Sequence, residues 1–259
     1  MKNDSLGTRM KEYYENISKT KLTRRTPVII RLDGRSFHTF TKGFNKPFDD
    51  ILMSTMKEVT KQLCKNIQNA KLGYCQSDEI SILLCDYDTL TTEAWFDNEV
   101  QKICSISASM ATLYFNRIFS NKVKEFTDEL FEAWNISDKE TKYADTLSTA
   151  VLKGAMFDSR CFNIPKEEVT NYFLWRQQDS TRNSIQMVGQ ANFTHKELQK
   201  KSCNDIQNML LIEKDINWND FSTDKKRGSC CIKAESGWII DNNIPIFKED
   251  GREYIEKLI

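Results

Sequence analysis

The 259 residues suffice for one large domain or two small ones, and 39% hydrophobic, 11% aromatic and 29% charged residues mark a water-soluble globular protein, excluding disordered, collagenous and coiled-coil chains. Lysine plus arginine and aspartate plus glutamate balance at 37 each, so no global positive field gathers polyanions, and any nucleic acid must be held by a local patch. The longest apolar run, Ile80 to Cys85, falls far short of the roughly 20 residues of a spanning helix, and the polar N-terminus has no signal-peptide core, so a cytoplasmic protein without membrane contact is expected.

Eight scattered cysteines without a CxxC pair read as reduced thiols rather than structural zinc ligands, and Cys85 and Cys104 lie in apolar segments as small core residues would. Along the chain, a polar segment ends in Lys19, Lys21, Arg24 and Arg25, and Pro27 then opens the β-branched run Val28 to Leu32, a strand that stops at Asp33-Gly34. Phe48, Leu52, Met56, Val59, Leu63 and Ile67 recur at steps of three and four, the buried stripe of a helix of about 20 residues. Two short strands follow, Leu72 to Cys75 and Ile80 to Cys85, joined through the polar tetrad Gln76 to Glu79 as a hairpin with acids at its tip. Residues 95–119 show Val100, Ile103, Ile106, Met110 and Leu113 at helical spacing, a charged insert fills 120–153, and a fourth strand is expected over 155–164.

Strand, helix, strand, strand, helix, strand is the split βαβ order. It predicts an α+β fold with a ferredoxin-like βαββαβ core, an antiparallel sheet with helices on one face and the other face open for ligands. Glu167 to Gln190 reads as a long helix closing a catalytic unit of residues 1–190, and 191–259 form a mixed C-terminal extension packed on it.

Asp33 ends the first strand beside Gly34, whose lack of a side chain lets a ligand approach the backbone carbonyl. If the hairpin neighbours that strand, Asp78 and Glu79 join Asp33 at one sheet edge, an all-oxygen set of the kind Mg²⁺ takes together with substrate phosphates. The same Asp-Gly and Ser-Asp pairs are common turn formers, so spacing alone leaves both roles open. Strand alternation would put Asp78 on the face of Ile80 and Ile82, and only a turn at Ser77-Asp78 frees it.

The segments Arg31-Leu32-Asp33-Gly34-Arg35-Ser36-Phe37-His38-Thr39-Phe40 and Gly73-Tyr74-Cys75-Gln76-Ser77-Asp78-Glu79-Ile80-Ser81 together resemble the two signature segments of the tRNA(His) guanylyltransferase family, the 3′–5′ nucleotide polymerases. The likeness extends through Lys46-Pro47, Lys102, Phe157 to Arg160 and Trp175 to Asp179, and more weakly through Lys226-Arg227-Gly228. It implies a polymerase palm-like core holding two Mg²⁺ ions through Asp33, the Gly34 carbonyl and Asp78, with Glu79 supporting. The triphosphate would contact Asp33, Gly34, Arg35, Ser36, Phe37, His38, Lys46, Ser77 and Asp78. It further implies activation of a tRNA 5′-phosphate by ATP or GTP, then attack by the 3′-hydroxyl of an incoming nucleotide, and a homotetramer. Lys102 and Arg160 match basic positions of the family and are candidates to bind the triphosphate or the tRNA end, by the suitability of a point charge or guanidinium fork for phosphate. The clusters ending in Arg24-Arg25 and formed by Lys225, Lys226 and Arg227 are candidate tRNA contacts or simply solvated faces.

One departure directs the reading. Where eukaryotic members carry His-Ile-Asn-Asn-Leu-Tyr-Asn, this chain has Thr181-Arg182-Asn183-Ser184-Ile185-Gln186-Met187, which looks like the bacterial and archaeal guanylyltransferase-like branch associated with template-dependent repair of tRNA 5′ ends. The alternatives are addition of the extra guanosine to tRNA(His), a palm-fold nucleotidyl cyclase using the same acids, and a non-catalytic RNA-binding protein. His38 reads as a substrate contact or a packed turn residue and His195 as structural. Trp95, Trp134, Trp175, Trp218 and Trp238 are expected in the core, with a base-stacking platform as the alternative.

Overall fold

A computed structural model describes residues 5–132 and 136–259. After the N-terminal helix α1 (Leu6–Met10), the chain forms β1 (Val28–Gly34), the single turn α2 (Phe37–Phe40), α3 (Asp50–Asn66), β2 (Ala70–Gln76), β3 (Glu79–Leu84), α4 (Val100–Glu132), α5 (Asp138–Lys153) and β4 (Phe157–Asn163). Then come α6 (Val169–Asn192), α7 (His195–Leu198), α8 (Cys203–Lys214), α9 (Thr223–Arg227), β5 (Ser229–Ala234), β6 (Gly237–Asp241) and α10 (Glu253–Glu256). One antiparallel sheet runs in the order β4-β1-β3-β2-β5-β6.

The βαββαβ core, β1-α3-β2-β3-α4-β4, is the palm-like arrangement expected. Its two helices share one face of the sheet, where Ile30, Leu32, Ile80 and Ile82 pack with Met56, Val59, Leu63, Ile103 and Phe115. α3 starts where the Asp49 carboxylate caps it by accepting from the Leu52 N–H at 2.9 Å. Phe48 therefore lies outside the helix, edge-on to Phe221 rather than at its first buried turn. α3 sits close on β2 at Gly73, where a Cβ would come within 2.5 Å of the Cys64 sulfur.

The expected insert over 120–153 is largely helix. α4 continues to Glu132 because its buried stripe, Ile103, Ser107, Ala111, Phe115, Phe119 and Val123, repeats every four residues past the expected end. α5 opens on a reciprocal Ser137–Glu140 capping box and buries Ala144, Leu147 and Ala150.

The face expected to be open is half covered. α6 lies over β3 and β2, with Val169 and Phe173 packed on Ile29, Tyr74 and Leu83, and Ile244, Phe247 and Ile255 complete that layer. Over β4 and the Asp33 end of β1 the same face stays accessible: Asp158 and Arg160 are exposed and Asp33 is half-buried. The C-terminal residues also supply the hairpin β5–β6, which extends the sheet from β2. Among the described residues all eight cysteines are free thiols, and no helix is long and apolar enough to cross a membrane.

Candidate active site

Hydrogen-bond register brings the signature acids to one sheet edge. Asp33 stands opposite Glu79 on β3 and opposite Asp158 on β4. The hairpin tip is tighter than the expected tetrad, since Gln76 and Glu79 pair and only Ser77 and Asp78 turn. Ser77 takes a left-handed φ of 48°, and this turn removes Asp78 from strand alternation. The Gly34 N–H then donates to the Asp78 carbonyl at 3.1 Å, tying the two segments together. Burial pushes the Asp78 carboxyl up from 3.8 to about 6; bonds from its own N–H and the Ser77 hydroxyl oppose the rise, and the charges of Asp33 and Glu79 add to it.

Glu79 does different work from its neighbour. Its side chain is buried on the sheet face under α6, where Oε2 accepts from Arg31 at 2.5 Å and from Arg176 at 2.8 Å. Among the described residues Oε1 has no hydrogen-bond partner, nor do the Nε atoms of Arg31 and Arg176. The Arg176 guanidinium lies 3.6 Å from the Trp175 ring centroid. Sequence reading assigned no role to Arg31 or Arg176. A signal for Arg31 existed: a cation inside an apolar strand, two residues before Asp33, must share its face.

Gly34 has a second reason to be glycine. A Cβ there would come 2.2 Å from the Phe37 ring. Phe37 is itself a core residue, packed 5.1 Å from Phe40, 5.4 Å from Phe115 and 5.2 Å from Phe157 between ring centroids. Its side chain is therefore no nucleotide contact; only its backbone is available. Ser36, at φ 56°, turns the chain into α2 and leaves Arg35 and His38 exposed. His38, Lys46, Ser77 and Asp78 line one cleft of about 720 Å³ on the α3 side of the edge, closed by Met187 and Gln190 of α6. A wider open groove of about 1000 Å³ along α4 has Arg117 as its one charged lining residue and lacks acids.

The basic candidates divide between the two ends of the sheet. Arg160 lies 4.0 Å from Asp33 and 2.9 Å from Asp158. Lys225 pairs with Asp50 at 3.0 Å and Lys226 donates to the Asn219 carbonyl at 2.5 Å. The Tyr74 hydroxyl holds the Arg227 carbonyl at 2.7 Å, so this cluster enters β5 beside the Ser77 turn. Arg24, Arg25 and Lys102 lie at the other end of β1, roughly 20 Å away by strand rise. There Asp86 takes the Arg24 guanidinium at 2.9 Å and the Arg25 N–H at 2.8 Å, and Lys102 lies 3.7 Å from Glu99. The structure does not bring these three to the acids. His195 is exposed at the start of α7, Trp95 and Trp218 are buried, and Trp134 lies outside the described residues.

A sequence model described as tRNA(His) guanylyltransferase matches residues 7–165. The chain belongs to the tRNA(His) guanylyltransferase family. It is accordingly an enzyme, a nucleotidyltransferase. A probable tRNA(His) guanylyltransferase of Dictyostelium discoideum is 27% identical over 80% of this chain and 75% of that protein. A bacterial tRNA(His) guanylyltransferase-like protein in complex with ATP superposes with a TM-score of 0.84 at 48% identity, covering 98% of this chain and 99% of that one. A second such structure, in complex with GTP, gives 0.76 at 42% identity with the same coverage. The likeness is thus shared with the bacterial guanylyltransferase-like proteins along the whole chain, beyond the segment that the family model spans.

Proposed function

We propose that this protein adds nucleotides in the 3′–5′ direction to the 5′ end of tRNA, using the opposite strand as template to repair truncated ends. The observation that carries the catalytic part is the convergence of Asp33 and Asp78, from segments 45 positions apart, beside a cleft that holds His38, Lys46 and Ser77. The ATP and GTP complexes of the bacterial relatives support nucleoside triphosphates as substrates. The residues Thr181 to Met187 on α6, which ends by closing the cleft with Met187 and Gln190, support repair over guanosine addition to tRNA(His).

The donor set fits magnesium. Among the described residues no three His, Cys, Asp or Glu side chains form a metal cluster. Two carboxylates and the Gly34 carbonyl supply a few hard oxygens, and Mg²⁺ takes its remaining positions from water and phosphate. A carboxyl held at about 6 by burial beside two further acids also gains from a cation. Two Mg²⁺ ions at this edge, when bound, would neutralise the triphosphate and raise the nucleophilicity of the attacking oxygen.

The chain's own groups do the rest. Asp33 and Asp78 are placed to bind the ions, and Glu79 fixes Arg31 and Arg176 so that β3 meets β1 in register. The N–H groups of Ser36, Phe37 and His38 have no acceptor among the described residues and face a triphosphate's needs as donors. Lys46 and His38 add charge and hydrogen bonds, while base pairing in the RNA selects the nucleotide. We further infer a catalytic unit of residues 1–190 with 191–259 packed on it, and a homo-oligomer, supported by the exposure of Leu6, Tyr13, Tyr14 and Ile17 in the N-terminal segment.

The test supplies a tRNA lacking its first nucleotide, with a 5′-mono- or triphosphate, and one nucleoside triphosphate at a time. Addition only of the complementary base is expected. Guanosine added whatever stands opposite would replace repair with the tRNA(His) reaction, and cyclic nucleotide formed without RNA would make the enzyme a cyclase.

A further inference from the structure

We propose that the accessible floor over β4 and the Asp33 end of β1 seats the 5′ end of the RNA, with the indole of Trp175 as the platform on which its terminal nucleobase stacks. The inference rests on the polymerase reading above and names where its second substrate lies. Trp175 is 51% exposed, whereas Trp95 and Trp218 are each 8% exposed. An indole half exposed in this way leaves ring surface for a ligand to stack on. It is backed by the Arg176 guanidinium, 3.6 Å from the ring centroid, whose side chain is 4% exposed and ion-paired with Glu79 at 2.8 Å. The Tyr172 ring meets the indole edge-on at 5.9 Å. The platform is therefore fixed on two sides before any ligand arrives, which lowers the ordering cost of binding.

Its position relative to the acids is what a polymerase needs. The Arg31 guanidinium lies 5.8 Å from the indole centroid, and Arg31 precedes Asp33 by two residues on the same strand face, roughly 7 Å along β1. A base on the indole thus places its ribose and 5′-phosphate near Asp33. Arg160, in register with Arg31 on β4 and 51% exposed, supplies a guanidinium for that phosphate. The triphosphate cleft with His38 and Lys46 opens on the α3 side of the same edge. The two substrates then approach Asp33 and Asp78 from opposite sides, as in-line displacement at phosphorus demands. A floor carrying the exposed Arg160 guanidinium, shared with Asp158, and one exposed aromatic ring matches the stacking and phosphate chemistry of a single nucleotide at a strand end.

The probe is an acceptor-stem RNA with 2-aminopurine as its 5′-terminal residue, whose fluorescence falls when the base stacks. Wild-type enzyme and Trp175→Phe are expected to quench it. Trp175→Leu is expected to lose the quenching and to raise KM for RNA roughly 5- to 150-fold, with KM for the nucleoside triphosphate unchanged. An unchanged triphosphate KM also shows that the variant is folded. Quenching retained in Trp175→Leu, or a rise confined to the triphosphate KM, would overturn the assignment. Quenching is read without turnover, so a wild-type enzyme that adds no nucleotide sinks the polymerase reading separately, while normal addition indifferent to Trp175 sinks only this one.

Discussion

Replacing Asp78 by asparagine should stabilise the metal-free protein while abolishing its activity. The carboxyl titrates at about 6 in the fold against 3.8 as its ordinary value, chiefly because it is buried. A raised carboxyl pKa means that the folded state holds its proton more tightly than the unfolded chain. The cost of the charge is absent below both values, grows from pH 4 to pH 6, and is complete above. Two units correspond to about 3 kcal/mol, and the water contact that Asp78 keeps reduces this to about 1–3 kcal/mol. Urea unfolding in EDTA at pH 7.5 should therefore show Asp78→Asn more stable by that amount, with about a third of the gain left at pH 4.5. Asparagine keeps the oxygen that accepts from the Ser77 hydroxyl, so the turn is preserved. Added Mg²⁺ should raise the stability of wild type more than that of the variant. A variant less stable than wild type, or a gain equal at both pH values, would refute the claim that this acid is held charged at a cost.

Three further substitutions test the edge. Asp33→Ala should abolish nucleotide addition while leaving tRNA retention in a gel-shift assay intact, and undiminished addition would remove Asp33 from the metal site. Gly34→Ala puts a methyl 2.2 Å from the Phe37 ring, so thermal melting should report a loss of about 1–3 kcal/mol and nucleotide addition should fall with it. Glu79→Ala leaves the Arg31 and Arg176 guanidiniums facing each other without their shared carboxylate; urea unfolding should show a cost of about 3–5 kcal/mol.

The core was legible where local pattern decides structure. The β-branched run Val28 to Leu32 and the stripe from Met56 to Leu63 carry their own periodicity, and the palm-like order follows from them. Elements bounded by distant partners were not. α4 overran its expected end because Phe115, Phe119 and Val123 find α3 and the α2 aromatics to pack on. β5 and β6 are short and largely half-buried, so alternation marks them weakly, and their pairing to β2 depends on Gly228, where a Cβ would strike the Cys75 carbonyl at 2.6 Å. The covered half of the sheet escaped notice for the same reason, since no residue of β2 or β3 announces that α6, nearly a hundred positions on, lies over it.

Asp78 and Glu79 show most directly what sequence leaves undetermined. They are neighbours of like chemistry, and nothing in the string Ser-Asp-Glu separates them. The two-residue turn assigns Asp78 to the edge, half-buried and held at a raised pKa, while the first paired position of β3 turns Glu79 under α6 to meet Arg176, 97 residues further along. One acid is thereby kept costly and available to a cation, and the other is neutralised by two guanidiniums. Both follow from where β3 begins, so a shift of one residue in that register would turn Glu79 off the face it shares with Arg31 and Arg176 and break their shared ion pair.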